Sequence, residues 1–173
     1  MTPQPQLLSD VRQVGPADLE VIADLHRAAF GPGRFARSAY RVREGTAPFT
    51  PHCRVAVLGN RLVAALRMTE VAIGGRHGAL LLGPVAVAPD LKGQGHGRNL
   101  IARTLDAAHA SGFGLVVLVG DLSYYGRFGF VTARPGSIRL PGPVDPTRIL
   151  VLELKPGTLA EYSGLVAAAH DNA

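Results

Sequence analysis

Tryptophan is absent from this sequence, cysteine occurs once, and charged residues make up only 18% of the chain. Each scarcity excludes something. A single cysteine, Cys53, cannot build a disulfide framework within the chain, which points to a reducing, cytoplasmic setting. No apolar run approaches the roughly 20 residues of a membrane-spanning helix, so no membrane partner is expected. The opening stretch MTPQPQLLSD has no basic region followed by an apolar one, so no signal peptide is expected either. The six histidines are scattered without metal-ligand spacing, and no metal is expected. No basic motif interleaved with aromatics occurs, which argues against a nucleic-acid partner.

What is present describes a folded protein. Hydrophobic residues account for 47% of the 173 positions, enough for a sizeable core and one domain over residues 1–173, with 1–10 and 167–173 loose. The net charge is +5 and the isoelectric point about 10.0. This excess is either an arginine-biased solvated surface or an affinity for polyanions, including a small ligand with several phosphates.

The rest of the chain is arranged around residues 80–112, LLLGPVAVAPDLKGQGHGRNLIARTLDAAHASG. The stretch reads as a buried strand over 80–88, a turn at Pro89-Asp90, a glycine-rich loop over 92–97 and an amphipathic helix stopped by Gly112. In that helix Leu100, Ile101, Thr104, Leu105 and Ala108 share one face. Gly93, Gly95 and Gly97 fall at every second position, freeing backbone N–H groups at the positive end of a helix dipole. Phosphate or pyrophosphate suits such a site. The two common nucleotide motifs fail on spacing. Arg98 stands where a dinucleotide-binding fingerprint needs its third glycine, and no Gly-Lys pair occurs for a P-loop.

Before this stretch, residues 11–14 suit a strand, and Gly15-Pro16-Ala17-Asp18 opens a helix whose Leu19, Ile22, Leu25 and Ala29 share a face. Gly31-Pro32-Gly33 breaks it, and a second helix is expected over 34–44, with Phe35, Ala39 and Val42 on one side and Arg34, Arg37 and Arg41 elsewhere. Residues 54–58 and 61–73 form a hairpin about Gly59-Asn60, and Gly74-Gly75 turns into the central strand. Downstream, the continuously apolar 115–119 is a strand covered on both faces. A short helix over 122–128, a proline-rich loop over 135–146, a strand over 148–154 and a short helix with a strand fragment over 157–166 complete the chain.

Val87-Ala88-Pro89 followed by Lys92-Gly93-Gln94-Gly95-His96-Gly97 resembles motif A of the GNAT N-acetyltransferase superfamily. Lys92 replaces the usual arginine or glutamine. Farther on, Gly120-Asp121-Leu122-Ser123-Tyr124-Tyr125-Gly126-Arg127-Phe128-Gly129-Phe130 is similar to the family's Tyr-x-x-x-Gly-Phe segment. The resemblance is strong over 80–130 and looser before 58 and after 131. It implies an α+β fold with a mixed, mostly antiparallel central sheet flanked by helices. It also implies an acetyl-CoA-dependent N-acetyltransferase, working through a ternary complex on an amine of a small molecule or protein.

Several site residues follow from the resemblance. The backbone of Val85, Ala86 and Val87 would pair with the pantetheine arm where the strand splays from 115–119, with Gly83-Pro84 forming a bulge. Lys92, Gly93, Gln94, Gly95, His96, Gly97 and Arg98 would hold the pyrophosphate, His96 through its backbone. Tyr125 aligns with the family's general acid, the alternative being a pocket-lining aromatic, while Tyr124 would pack. Asp121 stands where asparagine is frequent and reads as a helix cap. Glu70 is either a general base in the acceptor cleft or an exposed strand residue. Cys53 beside His52 does not make a nucleophile–base pair, because neighbours on an extended chain point to opposite sides.

Two other readings stay open: a non-catalytic acyl-CoA-binding or sensing module, and a transferase of longer acyl groups. Strand edges toward the C-terminus leave a homodimer open.

Overall fold

The structure, a computed structural model, describes residues 8–30 and 38–169. Among these residues the strands are β1 (Asp10–Gln13), β2 (Arg54–Leu58), β3 (Arg61–Ile73), β4 (Arg76–Val87), β5 (Leu115–Val119), β6 (Val131–Thr132), β7 (Ile138–Arg139), β8 (Ile149–Glu153) and β9 (Gly164–Ala168). The helices are α1 (Leu19–Phe30), α2 (Ser38–Arg43), α3 (His96–Ala110) and α4 (Leu122–Tyr125). The sheet runs β1-β2-β3-β4-β5-β8-β6, with β9 beside β3 and β7 beside β9. All pairings are antiparallel except β4 with β5 and β7 with β9. This is the expected α+β fold.

The hairpin turns where Gly59-Asn60 places it, and α3 begins at His96 and is followed by Gly112 at φ +90°. Of the helix expected over 34–44, α2 occupies Ser38–Arg43, while Arg34, Phe35 and Arg37 lie outside the described residues. Two short strands go beyond the sequence expectation: β6 lies in the unassigned stretch after Phe130, and β7 lies in the proline-rich stretch read as loop. The strand fragment expected within 157–166 is β9, which runs two residues into the tail expected to be loose. Both neighbours take up the backbone of β9: β3 along Val166–Ala168, and β7 along Gly164 and Leu165. The C-terminal edge that left a dimer open is therefore largely used within the chain.

Period-two alternation sends successive side chains of each strand to opposite faces. On one face Leu66, Met68, Leu80, Leu82, Val116 and Leu118 pack with Leu100, Ile101, Leu105 and Ala108 of α3. Each large aliphatic side chain buried there contributes roughly 2 kcal/mol. On the other face two clusters form. One joins Leu25 of α1 to Val55, Ala65 and Ala86, and the other joins Val42 of α2 to Val71, Ile73, Leu81 and Val117. The five apolar residues of β5 supply both faces, which explains why that strand shows no alternation in sequence.

The entry to α1 rests on Asp18. Its carboxylate accepts from the Gly15 N–H at 2.8 Å and from Nη1 and Nη2 of half-exposed Arg12 at 2.7 and 2.9 Å. The Arg12 bonds, aided by Gly15, lower its pKa from 3.8 to about 2. A depressed carboxylate pKa stabilises the folded state above the unfolded value, so the contribution is complete above pH 3.8 and vanishes as pH falls through about 2. With Arg12 screened by solvent, the effect is on the order of 1 kcal/mol. Asp18→Asn should therefore melt roughly 2–4 °C below wild type at neutral pH. The gap should close by about pH 2, as read from thermal unfolding across pH.

Candidate active site

Two strands that start together come apart. β4 and β5 pair at Ala79–Leu115, Leu80–Val116 and Leu81–Val117, and their ladder stops there. β5 continues against β8 through Leu118–Leu150 and Val119–Ile149, whereas β4 continues to Val87 against β3 alone. The divergence coincides with the expected bulge. Leu66 opposes Val85 and Met68 opposes Leu82, so Gly83 and Pro84 together face the single residue Arg67. Gly83 adopts φ +121°, and the Gly83–Pro84 peptide is cis. The strand emerges from this bulge with one edge paired and the other facing the opening.

The loop after β4 closes one end of that opening. The first bond of the α3 ladder runs from the Asn99 N–H to the Gly95 carbonyl at 3.0 Å, so the N–H groups of His96, Gly97 and Arg98 project from the helix N-terminus. Gly93 and Gly95 take φ +78° and +91°, a region that disfavours side chains, and a Cβ on either would enter open space. Gly97 sits against the strand, where a Cβ would come 3.1 Å from Val87 Cγ2 and 3.7 Å from the Tyr124 hydroxyl. The result is a groove of about 420 Å³ whose lining includes Val85, Val87, Lys92, Gly93, Tyr124 and Arg127.

Most residues singled out in the sequence meet here. Val85, Val87, Lys92, Gly93, Gly95, His96, Gly97 and Arg98 all line the groove. Gln94 does not, and the Ala86 side chain enters the apolar cluster on the α1 face, leaving only its backbone to the strand edge. His96 contributes more than its N–H. Its ring is buried, with Nδ1 3.0 Å from Ser9 Oγ, and Asn99 Nδ2 donates to the Ser9 carbonyl at 3.0 Å. These bonds fasten the segment before β1 to the first turn of α3.

The two tyrosines divide. Tyr124 reaches the groove, with the Arg127 guanidinium 4.7 Å above its ring. Tyr125 packs behind it, its ring edge-on to Phe130 at 5.9 Å and to Tyr124 at 5.0 Å. The ring also presses on the end of β5, where a Cβ on Gly120 would fall 2.6 Å from Tyr125 Cε2. Burial, with smaller contributions from Tyr124 and Asp121, pushes the Tyr125 phenol up to about 12. At neutral pH it is a protonated donor. Asp121 occupies the cap position of α4, but its carboxylate lies 3.3 Å from Arg148 Nε and makes no cap bond.

Glu70 is not brought to the groove. It shares the α3 face of β3 with Leu66 and Met68, is exposed, and lies 3.7 Å from His52 Nε2. The His52 ring in turn stands edge-on to Phe113 just beyond α3. Burial lowers the His52 pKa against the opposing pull of Glu70. Cys53 is also occupied elsewhere, its sulfur accepting from the Thr50 and Met68 N–H groups at 3.4 Å. Sequence reading passed over Arg127, although a helix over 122–128 places it one turn after Tyr124 and so beside that ring.

The comparisons with known proteins agree with this geometry. The chain is 34% identical over 85 residues to YhbS of Escherichia coli K12, an uncharacterized N-acetyltransferase; the match covers 49% of this chain and 51% of that protein. The chain thus spans about half the length of the curated relatives it matches. The crystal structure of the E. coli YhbS protein in complex with CoA superposes with a TM-score of 0.81 at 27% identity, covering 98% of this chain and 94% of that one. A GNAT family acetyltransferase from Brucella melitensis, in complex with acetyl-CoA, gives 0.70 at 28% identity, covering 94% and 96%. The profile of the acetyltransferase (GNAT) domain matches residues 10–133, which take in β1 through β6 and the whole groove, and the chain belongs to that family.

Proposed function

We propose that this protein transfers an acetyl group from acetyl-CoA directly to an amine, both substrates being bound together, with Tyr125 as the proton donor. The observation that carries the reading is the open edge of β4 leading from the bulge to the N-terminus of α3. Acetyl-CoA supplies a thioester already activated toward amines, so positioning and proton supply are the protein's main tasks. The N–H groups at the start of α3, with Lys92 and Arg98, suit the pyrophosphate, and Arg127 adds a third cation to the same groove. Backbone groups around Val85 and Val87 are left to pair with an extended pantetheine arm as an added strand. They also suit polarisation of the thioester carbonyl near the bulge.

Tyr125 stands just beyond the end of β5, its ring against Gly120. As the C–N bond forms and the C–S bond breaks, its phenol proton passes to the departing sulfur, and solvent restores it. The amine loses its surplus proton to water. Glu70 is given no part, since it is exposed, does not line the groove and pairs with His52 instead. The CoA and acetyl-CoA bound in the E. coli and Brucella structures support acetyl-CoA as the acyl donor. Calorimetric titration with acetyl-CoA tests the reading: one-site saturable binding is expected, and absence of binding at millimolar concentration would overturn it.

A further inference from the structure

On the face of β3 opposite α3, just below the bulge, lies a group of polar side chains that the cofactor does not need. Thr69 and Arg67 alternate with Leu66 and Met68, which puts them on the α1 and α2 side of the sheet. The Thr69 side chain is 3% exposed, and its hydroxyl has no hydrogen-bond partner among the described residues. Arg67 is held in place. Its Nη2 donates to Thr46 Oγ1 at 2.8 Å and to the Ala47 carbonyl at 2.9 Å, and Thr46 Oγ1 donates onward to the Arg43 carbonyl at 2.6 Å. Arg43, on α2, is only 5% exposed, and its Nη2 lies 3.6 Å from where a Cβ on Gly83 would be. Two guanidinium groups and a buried hydroxyl thus gather beside the bulge, which under the transfer proposed above is where the thioester comes to rest.

From this juxtaposition we infer that the acceptor is an amine that also carries an oxyanion, a carboxylate or a phosphate, held by Arg43, Arg67 and Thr69 beside the acetyl group. Guanidinium groups present planar forks of donors that match an oxyanion, and two of them bring positive charge to the side of the bulge where the Thr69 hydroxyl has no partner among the described residues. A hydroxyl in the same wall supplies a third donor without added charge. An acceptor anchored by its acid group would have its amine delivered to one place, which is the requirement of direct transfer. The inference rests on the transfer reading, and its test separates the two.

The probes are matched amines: amino acids against their carboxamides, and phosphoethanolamine against ethanolamine, each assayed by thiol release from acetyl-CoA. Wild type is expected to favour the acid-bearing member of at least one pair by ten-fold or more in kcat/KM. Arg67→Gln and Thr69→Val should bring that preference to within about three-fold of unity, and Arg67→Lys should keep part of it. Calorimetry should show acetyl-CoA affinity unchanged in all three variants, a result that a merely destabilised fold would not give. Preference only for the amino acids identifies the anion as a carboxylate, and preference only for phosphoethanolamine identifies it as a phosphate. Equal rates across every pair, turnover of acid-free amines alone, no turnover of any acid-bearing amine, or a preference undiminished in Arg67→Gln overturns the inference. Failure of wild type to bind acetyl-CoA would bring down the transfer itself instead.

Discussion

Replacing Gly97 with valine should weaken acetyl-CoA binding at least 100-fold while leaving the fold intact. Unlike Gly93 and Gly95, Gly97 has no positive φ, so the first turn of α3 accepts a side chain there without backbone strain. The obstacle is space. A Cβ alone would sit 3.1 Å from Val87 Cγ2 and 3.7 Å from the Tyr124 hydroxyl, and the two methyl groups beyond it would occupy the passage between α3 and β4. The same bulk would cover N–H groups that the pyrophosphate is proposed to use. Calorimetry measures the affinity and thermal melting checks the fold. Affinity within a few-fold of wild type would mean that the ligand does not run between Val87 and α3, and the groove assignment would fall.

Tyr125→Phe should lower kcat about 100-fold, near 2.7 kcal/mol in the barrier, with acetyl-CoA affinity within about two-fold of wild type. The ring remains, so the packing on Gly120 and Phe130 remains, and only the donor is lost. Because burial holds the phenol near 12, its ionisation should not produce an alkaline limb in the wild-type rate below about pH 10. Tyr124→Phe is the necessary comparison, since Tyr124 rather than Tyr125 lines the groove. If Tyr124→Phe abolishes turnover while Tyr125→Phe does not, the donor is the neighbouring tyrosine. If neither lowers kcat, sulfur takes its proton from solvent and the tyrosine assignment fails.

Much of this molecule is legible in short stretches of sequence. The glycine loop, the following helix, the hairpin about Gly59-Asn60 and the Tyr-x-x-x-Gly-Phe segment all depend on backbone freedom and side-chain period within a dozen residues. A single chain segment therefore suffices to locate the candidate phosphate site and the two tyrosines. The limits of local reading are equally specific. Glu70 looks as available as Arg67 or Thr69 in sequence, yet one step along β3 turns a side chain from the α2 face to the α3 face, and only the register of β3 against β4 fixes which is which. The family resemblance and Gly83-Pro84 indicate that β4 splays from β5, but that the last pair of the ladder is Leu81–Val117 is set by a partner strand more than thirty residues away.

The sequence by itself located the candidate anion site and the elements that surround it, since helix termini, glycine turns and strand period are properties of adjacent residues. Tertiary structure alone decided that Tyr124 faces the groove and Tyr125 packs against Gly120. It also decided that Thr46 links Arg43 of α2 to Arg67 of β3, and that β9 comes to lie beside β3. The physical reason is that those arrangements are set by strand register and packing between segments far apart in the chain, and neither leaves a mark on any one of the segments that meet.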